Sequence, residues 1–287
     1  MLKFDLNALG FSLNNAYSCC QLSEAAYLPK ELIGHKLVEE WKMLSVSPFD
    51  NNNARGFVAS SDDVTVVSFT GSEFDIDLWQ ENIDAQFCSG PFQSKDRVHR
   101  GFNLGISEIA EDLISKIRAI SNANSKIIIT GHSLGGAIAN IFAAHMFHQE
   151  IKPHLVYTFG SPRVGCKNFR RLYDYISKGR SFRIVNRHDI VPRTPPRVSR
   201  FHHVGELHYI DPSGNIHKDI SAWNRLLLYL DPTGKTPKSH IKEIIKRLPN
   251  AIEDHLLKNY LIKLKSIIQN NKFQSLKNTG SSNVDDS

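Results

Sequence analysis

A chain of 287 residues with 41% hydrophobic and 22% charged side chains has the composition of a folded globular protein and excludes a disordered or fibrous one. No apolar run approaches the roughly 20 residues that a membrane span requires, so no transmembrane segment is expected. The net charge of +6 gathers late, around Lys238, Lys242, Lys246, Lys258, Lys263 and Lys265; its helical spacing predicts a solvated face that could also rest on anionic lipid, and without interleaved aromatics nucleic acid is not an expected partner.

The first residues, Met1-Leu2-Lys3-Phe4-Asp5-Leu6-Asn7, hold no uninterrupted apolar stretch behind the lone lysine. A conventional signal peptide is therefore not expected. Cys19, Cys20, Cys88 and Cys166 are few and scattered, the usage of free thiols in a reducing compartment, with no spacing that suggests a metal site. The expected location is the cytoplasm, or the exterior reached without a conventional signal peptide.

Leu13, Ala16, Tyr17, Leu22, Ala25, Ala26 and Tyr27 recur near helical spacing and predict an amphipathic helix over about 12–28, ending before Pro29. Short β-rich runs follow at Lys42–Val46, Arg55–Ala59 and Val64–Phe69, the last two separated by the turn residues Ser60-Ser61-Asp62-Asp63. Between Gly101 and Ser121 one face stays apolar at helical spacing. The run Lys126-Ile127-Ile128-Ile129-Thr130 then has the character of a parallel strand buried on both faces. A helix from about Leu134 to Met146 follows, its small residues suited to close packing on a sheet.

Alternation continues with a strand at Leu155–Phe159, a helix near Lys167–Ile176, a strand at Phe182–Asn186 and an edge strand at Leu207–Ile210. Helical stretches are expected at Ile241–Arg247 and Ala251–Ile268, and the polar residues 278–287 read as a disordered tail. No repeat or linker divides the chain. The expectation is a single α/β domain over 1–277 with a mostly parallel central sheet flanked by helices.

Chemistry enters at Gly131-His132-Ser133-Leu134-Gly135, which fits G-x-S-x-G between a buried strand and a small-residue helix. In that context the glycines allow a sharp turn that holds the serine out above the sheet. A serine needs a neutral histidine to take its proton and an acid to orient that histidine, here in the chain order Ser, Asp/Glu, His. Asp189 lies just past the strand at Phe182–Asn186, at the sheet edge where such sites form. His202, His203, His208, His217, His240 and His255 all follow it, and spacing alone does not choose among them.

Several blocks between about Phe57 and Leu264 resemble the class 3, or fungal-type, triacylglycerol lipases of the α/β-hydrolase superfamily. Ile129–Ala137 is similar to the family's nucleophile segment, Thr158–Gly165 to its next strand and loop, and Val98-His99-Arg100-Gly101-Phe102 to the entry of the preceding helix. Val185–Arg193 is similar to the acid segment, which implies the acid role for Asp189. Asp254-His255-Leu256-Leu257-Lys258-Asn259-Tyr260-Leu261 resembles the histidine segment and favours His255, with His240 as its rival. Ser68-Phe69-Thr70-Gly71-Ser72 is similar to the oxyanion loop, implying donors at Ser72 and at the Leu134 backbone, but Thr70 stands where the family commonly has arginine.

The resemblance also implies an amphipathic lid at 73–88, with Phe74, Ile76, Leu78 and Trp79 as its apolar face; the alternative is a fixed surface helix anchored by Trp79. The implied activity is hydrolysis of lipid carboxylic esters through an acyl-enzyme on Ser133, without a metal or cofactor. The partners expected are a lipid or ester substrate and transient contact with a lipid interface. The competing expectation is a lipase-like scaffold that binds lipid or protein without turnover.

Overall fold

Lys126–Thr130 forms the middle of the observed sheet, and its isoleucines are divided between the sheet's two faces. The structure, a computed structural model, describes residues 2–51, 53–71, 86–122, 124–221 and 250–280. The strands are β1 (Ser45–Asn51), β2 (Ala54–Ser60), β3 (Val64–Phe69), β4 (Phe87–Ser89), β5 (Arg97–His99), β6 (Lys126–His132), β7 (Leu155–Phe159), β8 (Ser181–Asn186), β9 (Glu206–Ile210) and β10 (Ile216–Lys218). The helices are α1 (Leu13–Ala25), α2 (Lys30–His35), α3 (Arg100–Ser107), α4 (Ala110–Ile120), α5 (Leu134–His148), α6 (Lys167–Ile176), α7 (Asn250–Glu253) and α8 (Leu257–Gly280).

The main sheet runs β1-β2-β3-β6-β7-β8-β9-β10. From β3 to β9 every neighbouring pair is parallel. Antiparallel pairs finish both edges. A mostly parallel sheet must be covered on both faces, and the chain supplies two apolar layers. Ile129, Val67 and Val156 join Leu113, Ile114 and Phe142 on one face, whereas Ile128, Val66 and Tyr157 join Ala16, Leu22, Tyr260 and Leu264 on the other. Alternation along each strand thus feeds α3 to α6 on one side and α1 and α8 on the other. Each such aliphatic side chain contributes about 1.5–3 kcal/mol on full burial.

This is the α/β-hydrolase architecture expected from the sequence. Two local expectations change. Leu207–Ile210 is not the edge, because β10 pairs with β9 through Ile216 and Ile210. The helix expected over Ala251–Ile268 is interrupted between Glu253 and Leu257, where tertiary contacts claim the backbone: Asn186 Nδ2 donates to the Asp254 carbonyl at 2.9 Å and His188 N donates to its carboxylate at 3.2 Å. The stretch at Ile241–Arg247 lies outside the described residues.

Candidate active site

The turn from β6 into α5 places Ser133 in a conformation that few residues other than glycine adopt. Its φ is 57° and its ψ is −129°, a backbone strain on the order of 1–3 kcal/mol. Hydrogen bonds on both sides hold it, from Ser133 N to the Phe159 carbonyl at 2.9 Å and from Gly136 N to the Ser133 carbonyl at 3.0 Å. Gly135 lets the helix start press against the end of β3. A Cβ there would lie 2.3 Å from the Phe69 carbonyl oxygen. Leu134 opens the helix, so its N–H has no carbonyl one turn earlier to bond within the helix, and it sits at the positive end of the helix dipole.

Asp189 follows β8 and is 2% exposed. Its Oδ1 accepts the Val191 N–H at 2.9 Å and its Oδ2 accepts the Tyr260 hydroxyl at 2.5 Å. His255 Nδ1 lies 2.8 Å from both carboxylate oxygens. Facing a carboxylate, Nδ1 carries the ring proton, which leaves Nε2 as the basic nitrogen. That Nε2 is buried and makes no hydrogen bond within the described residues. The pair is roofed by Gly160, whose φ is +57°; a Cβ there would lie 2.6 Å from Asp189 Oδ2 and 2.8 Å from His255 Nδ1.

The segment that carries His255 is tied to the elbow and to the acid loop. His132 Nε2 is 2.8 Å from the His255 carbonyl oxygen, and their rings lie 4.5 Å apart. Arg187 is paired with Asp254 at 3.5 Å. Burial raises the Asp254 carboxyl above its usual range, with the Arg187 charge opposing the shift. Burial, reinforced by the charge of Asp189, keeps the Tyr260 phenol protonated, as a donor must be. Burial and the neighbouring His255 hold His132 well below the ordinary histidine range, so it is neutral.

Ser133, Leu134, Asp189 and His255 are thus gathered at the carboxyl ends of β6 and β8, with the break between α7 and α8 against them. Other histidines have partners elsewhere: His208 with Glu206 at 2.7 Å, His217 with Asp211 at 2.8 Å, and His203 with the Pro192 carbonyl at 2.8 Å. Ser72, Phe74, Ile76, Leu78, Trp79 and His240 lie outside the described residues. The end of the segment expected as a lid, Phe87-Cys88, belongs to β4, where the Phe87 ring stacks on Phe201 at a centroid distance of 4.0 Å.

Thr70, which replaces the arginine usual in the resembling family, turns inward and donates to the Ala26 carbonyl at 2.5 Å. Sequence reasoning missed this attachment of the loop to α1, and it missed Tyr27, whose hydroxyl lies 2.8 Å from His132 Nδ1. The only available signal was a tyrosine, apolar in body and polar at its tip, at the end of an otherwise apolar helix face.

The family profile described as Lipase (class 3) matches residues 66–199, which include the nucleophile elbow and Asp189. Secreted mono- and diacylglycerol lipase 1 of Fusarium solani is 36% identical over 127 residues, covering 44% of this chain and 37% of the relative. Secreted mono- and diacylglycerol lipase MDL5 of Malassezia globosa is 28% identical over 178 residues, covering 61% of this chain and 54% of the relative. The chain therefore spans about a third to a half of the length of these curated relatives. The solved structure of mono- and diacylglycerol lipase from Aspergillus oryzae shares the fold, with a TM-score of 0.63 at 20% identity, covering 72% of this chain and 86% of that one.

The relatives overturn the expectation of a cytoplasmic protein or of export without a conventional signal peptide, since both are named as secreted. The physical weakness of that expectation lay in its use of cysteine. Cys19 and Cys20 are fully buried in the α1 layer, and burial pushes both thiols up, away from the reactive thiolate. Such thiols stay inert in a reducing or an oxidising compartment, so their number carries no address. Strand order and elbow agree with the matched profile, and over residues 66–199 the chain is similar to the class 3 lipases.

Proposed function

We propose that this chain hydrolyses carboxylic esters of lipids through an acyl-enzyme on Ser133, and that it does so outside the cell. The observation that carries the reading is the buried Asp189–His255 pair, with an Nε2 that makes no hydrogen bond among the described residues, beside a serine held in a strained turn at a helix N-terminus. In the proposed reaction Ser133 Oγ attacks the ester carbonyl as His255 Nε2 takes its proton. The imidazolium, stabilised by Asp189, returns that proton to the leaving alkoxide. Water then repeats the sequence on the acyl-enzyme, releasing the fatty acid and restoring the serine. The Leu134 N–H and a donor at Ser72 receive the charge that develops on the carbonyl oxygen. Contacts between base and nucleophile tighten once substrate is present, so a base nitrogen without a bond among the described residues suits this role.

Names of the matched relatives support glycerolipid esters as the substrate class and secretion as the setting. The test is hydrolysis of glycerol esters of graded chain length, with a phospholipid and a galactolipid included, by wild type and Ser133→Ala. Covalent labelling of Ser133 by a fluorophosphonate, with loss of turnover by several orders of magnitude in the variant, is expected. A folded wild type that neither labels nor turns over any ester would replace the enzyme with a binding scaffold.

A further inference from the structure

We infer that Tyr27 is a positioning residue that fixes the oxyanion loop against the nucleophile elbow; the inference rests on the hydrolase reading. The loop that ends β3 is attached to α1 and the residues just after it at three successive points. Ser68 Oγ donates to the Leu22 carbonyl at 3.1 Å, Thr70 Oγ1 donates to the Ala26 carbonyl at 2.5 Å, and Gly71 N donates to the Tyr27 hydroxyl at 3.1 Å. The first reaches the Leu22 carbonyl, which also accepts the Ala26 N–H at 3.2 Å, and the second reaches the carbonyl of Ala26, the residue that caps α1. Only the third leads onward into the site.

The direction of that third link follows from the groups it joins. The His255 carbonyl can only accept, so the His132 nitrogen 2.8 Å from it, Nε2, carries the ring proton. His132 is neutral, so its Nδ1 is an acceptor, and the Tyr27 hydroxyl 2.8 Å away is the donor. With its O–H directed at His132, the Tyr27 oxygen accepts the Gly71 N–H through a lone pair. A single one-way chain therefore runs from Gly71 N–H to Tyr27, from Tyr27 to His132, and from His132 to the backbone of the residue that carries the base.

Two consequences for catalysis follow. The Gly71 N–H is engaged by Tyr27 and is not available as an oxyanion donor. The Gly71 backbone is also held hard against the nucleophile, since a Cβ built on it would lie 3.0 Å from Ser133 Cβ and 2.2 Å from Tyr27 Oη. Without the hydroxyl, the loop loses its bond on the side facing Ser133, and His132 Nδ1 loses its donor. Transition-state charge is then met by a displaced donor, while ground-state binding of the acyl chain is untouched.

Tyr27→Phe keeps the ring and removes only the hydroxyl. For a soluble short-chain ester, with rates normalised to sites titrated by a fluorophosphonate, kcat is expected to fall about 10- to 100-fold while KM stays within about twofold. Nitrogen-15 shifts of the histidine rings provide a readout that does not need turnover. The His132 signal, identified by its loss in His132→Gln, should report Nε2–H with a hydrogen-bonded Nδ1 in wild type and an unbonded Nδ1 in Tyr27→Phe. A kcat within twofold of wild type, or a wild-type His132 protonated on Nδ1, overturns the inference. A wild type with the expected His132 signal but no turnover would overturn the hydrolase reading, and the positioning role with it.

Discussion

Tyr260 donates its hydroxyl proton to Asp189 Oδ2 at 2.5 Å while its oxygen accepts the Asn186 N–H at 3.0 Å. The carboxylate that faces His255 is therefore held by α8 as well as by its own loop. A hydrogen bond to a buried charged group contributes about 1.5–3 kcal/mol. Tyr260→Phe should lose about that much stability in denaturant titration, and its kcat should fall about 10-fold as His255 loses its fixed partner. Unchanged values for both would mean that Val191 N–H and His255 suffice to hold Asp189.

His255 and His240 are separated by a direct substitution test. His255→Ala is expected to lose turnover by several orders of magnitude, comparably to Ser133→Ala, while His240→Ala keeps most of it. Hydrolysis of a soluble ester by purified, folded variants decides the matter. An inactive His240→Ala beside an active His255→Ala would remove His255 from the mechanism.

Acid should weaken the fold through His132. Burial holds its ring neutral in the native state, whereas in the unfolded chain it takes a proton near the ordinary value of about 6.5. The unfolded state then binds more protons, so the stabilisation is complete above that value and drains away as the pH falls below it, by up to about 1.4 kcal/mol per pH unit. His145, His154 and His208 are also lowered by burial and add to the slope. Measured between pH 7 and 5, the fall in Tm should be shallower in His132→Gln than in wild type, and equal slopes would show that the ring is not held neutral.

The strands and the elbow were legible because their cause is local. Three isoleucines in a row before a glycine-flanked serine can hardly do anything but enter a sheet and turn out of it, whatever surrounds them. The interruption at Asp254–Leu256 was not legible, because Asn186, Arg187 and His188 impose it from more than 60 positions away. The same holds for Tyr27 and His132, 105 positions apart. Resemblance picked out His255 where spacing could not, since the geometry that sets it against Asp189 exists only after α8 has packed on the sheet.

The family resemblance implies a lid over Ser133 at 73–88, and the part of that segment ahead of β4 is proposed as one. A lipid interface would stabilise the state in which Phe74 and Ile76 are exposed, shifting the population toward an open site. Hydrolysis of a short ester followed through its solubility limit should jump at emulsion onset in wild type and jump less when both residues are serine. Smooth saturation in both proteins would mean a permanently open site.

The order Ser133, Asp189, His255 along the chain has a consequence for biosynthesis. His255 is held by its ring on Asp189 and by its carbonyl on His132, so the base reaches its place only after the other two have left the ribosome. A chain halted ahead of Asp254 lacks both His255 and the Tyr260 hydroxyl that holds Asp189, and stalled chains of that length should leave a soluble ester intact. On the hydrolase reading, chemical competence comes late in synthesis.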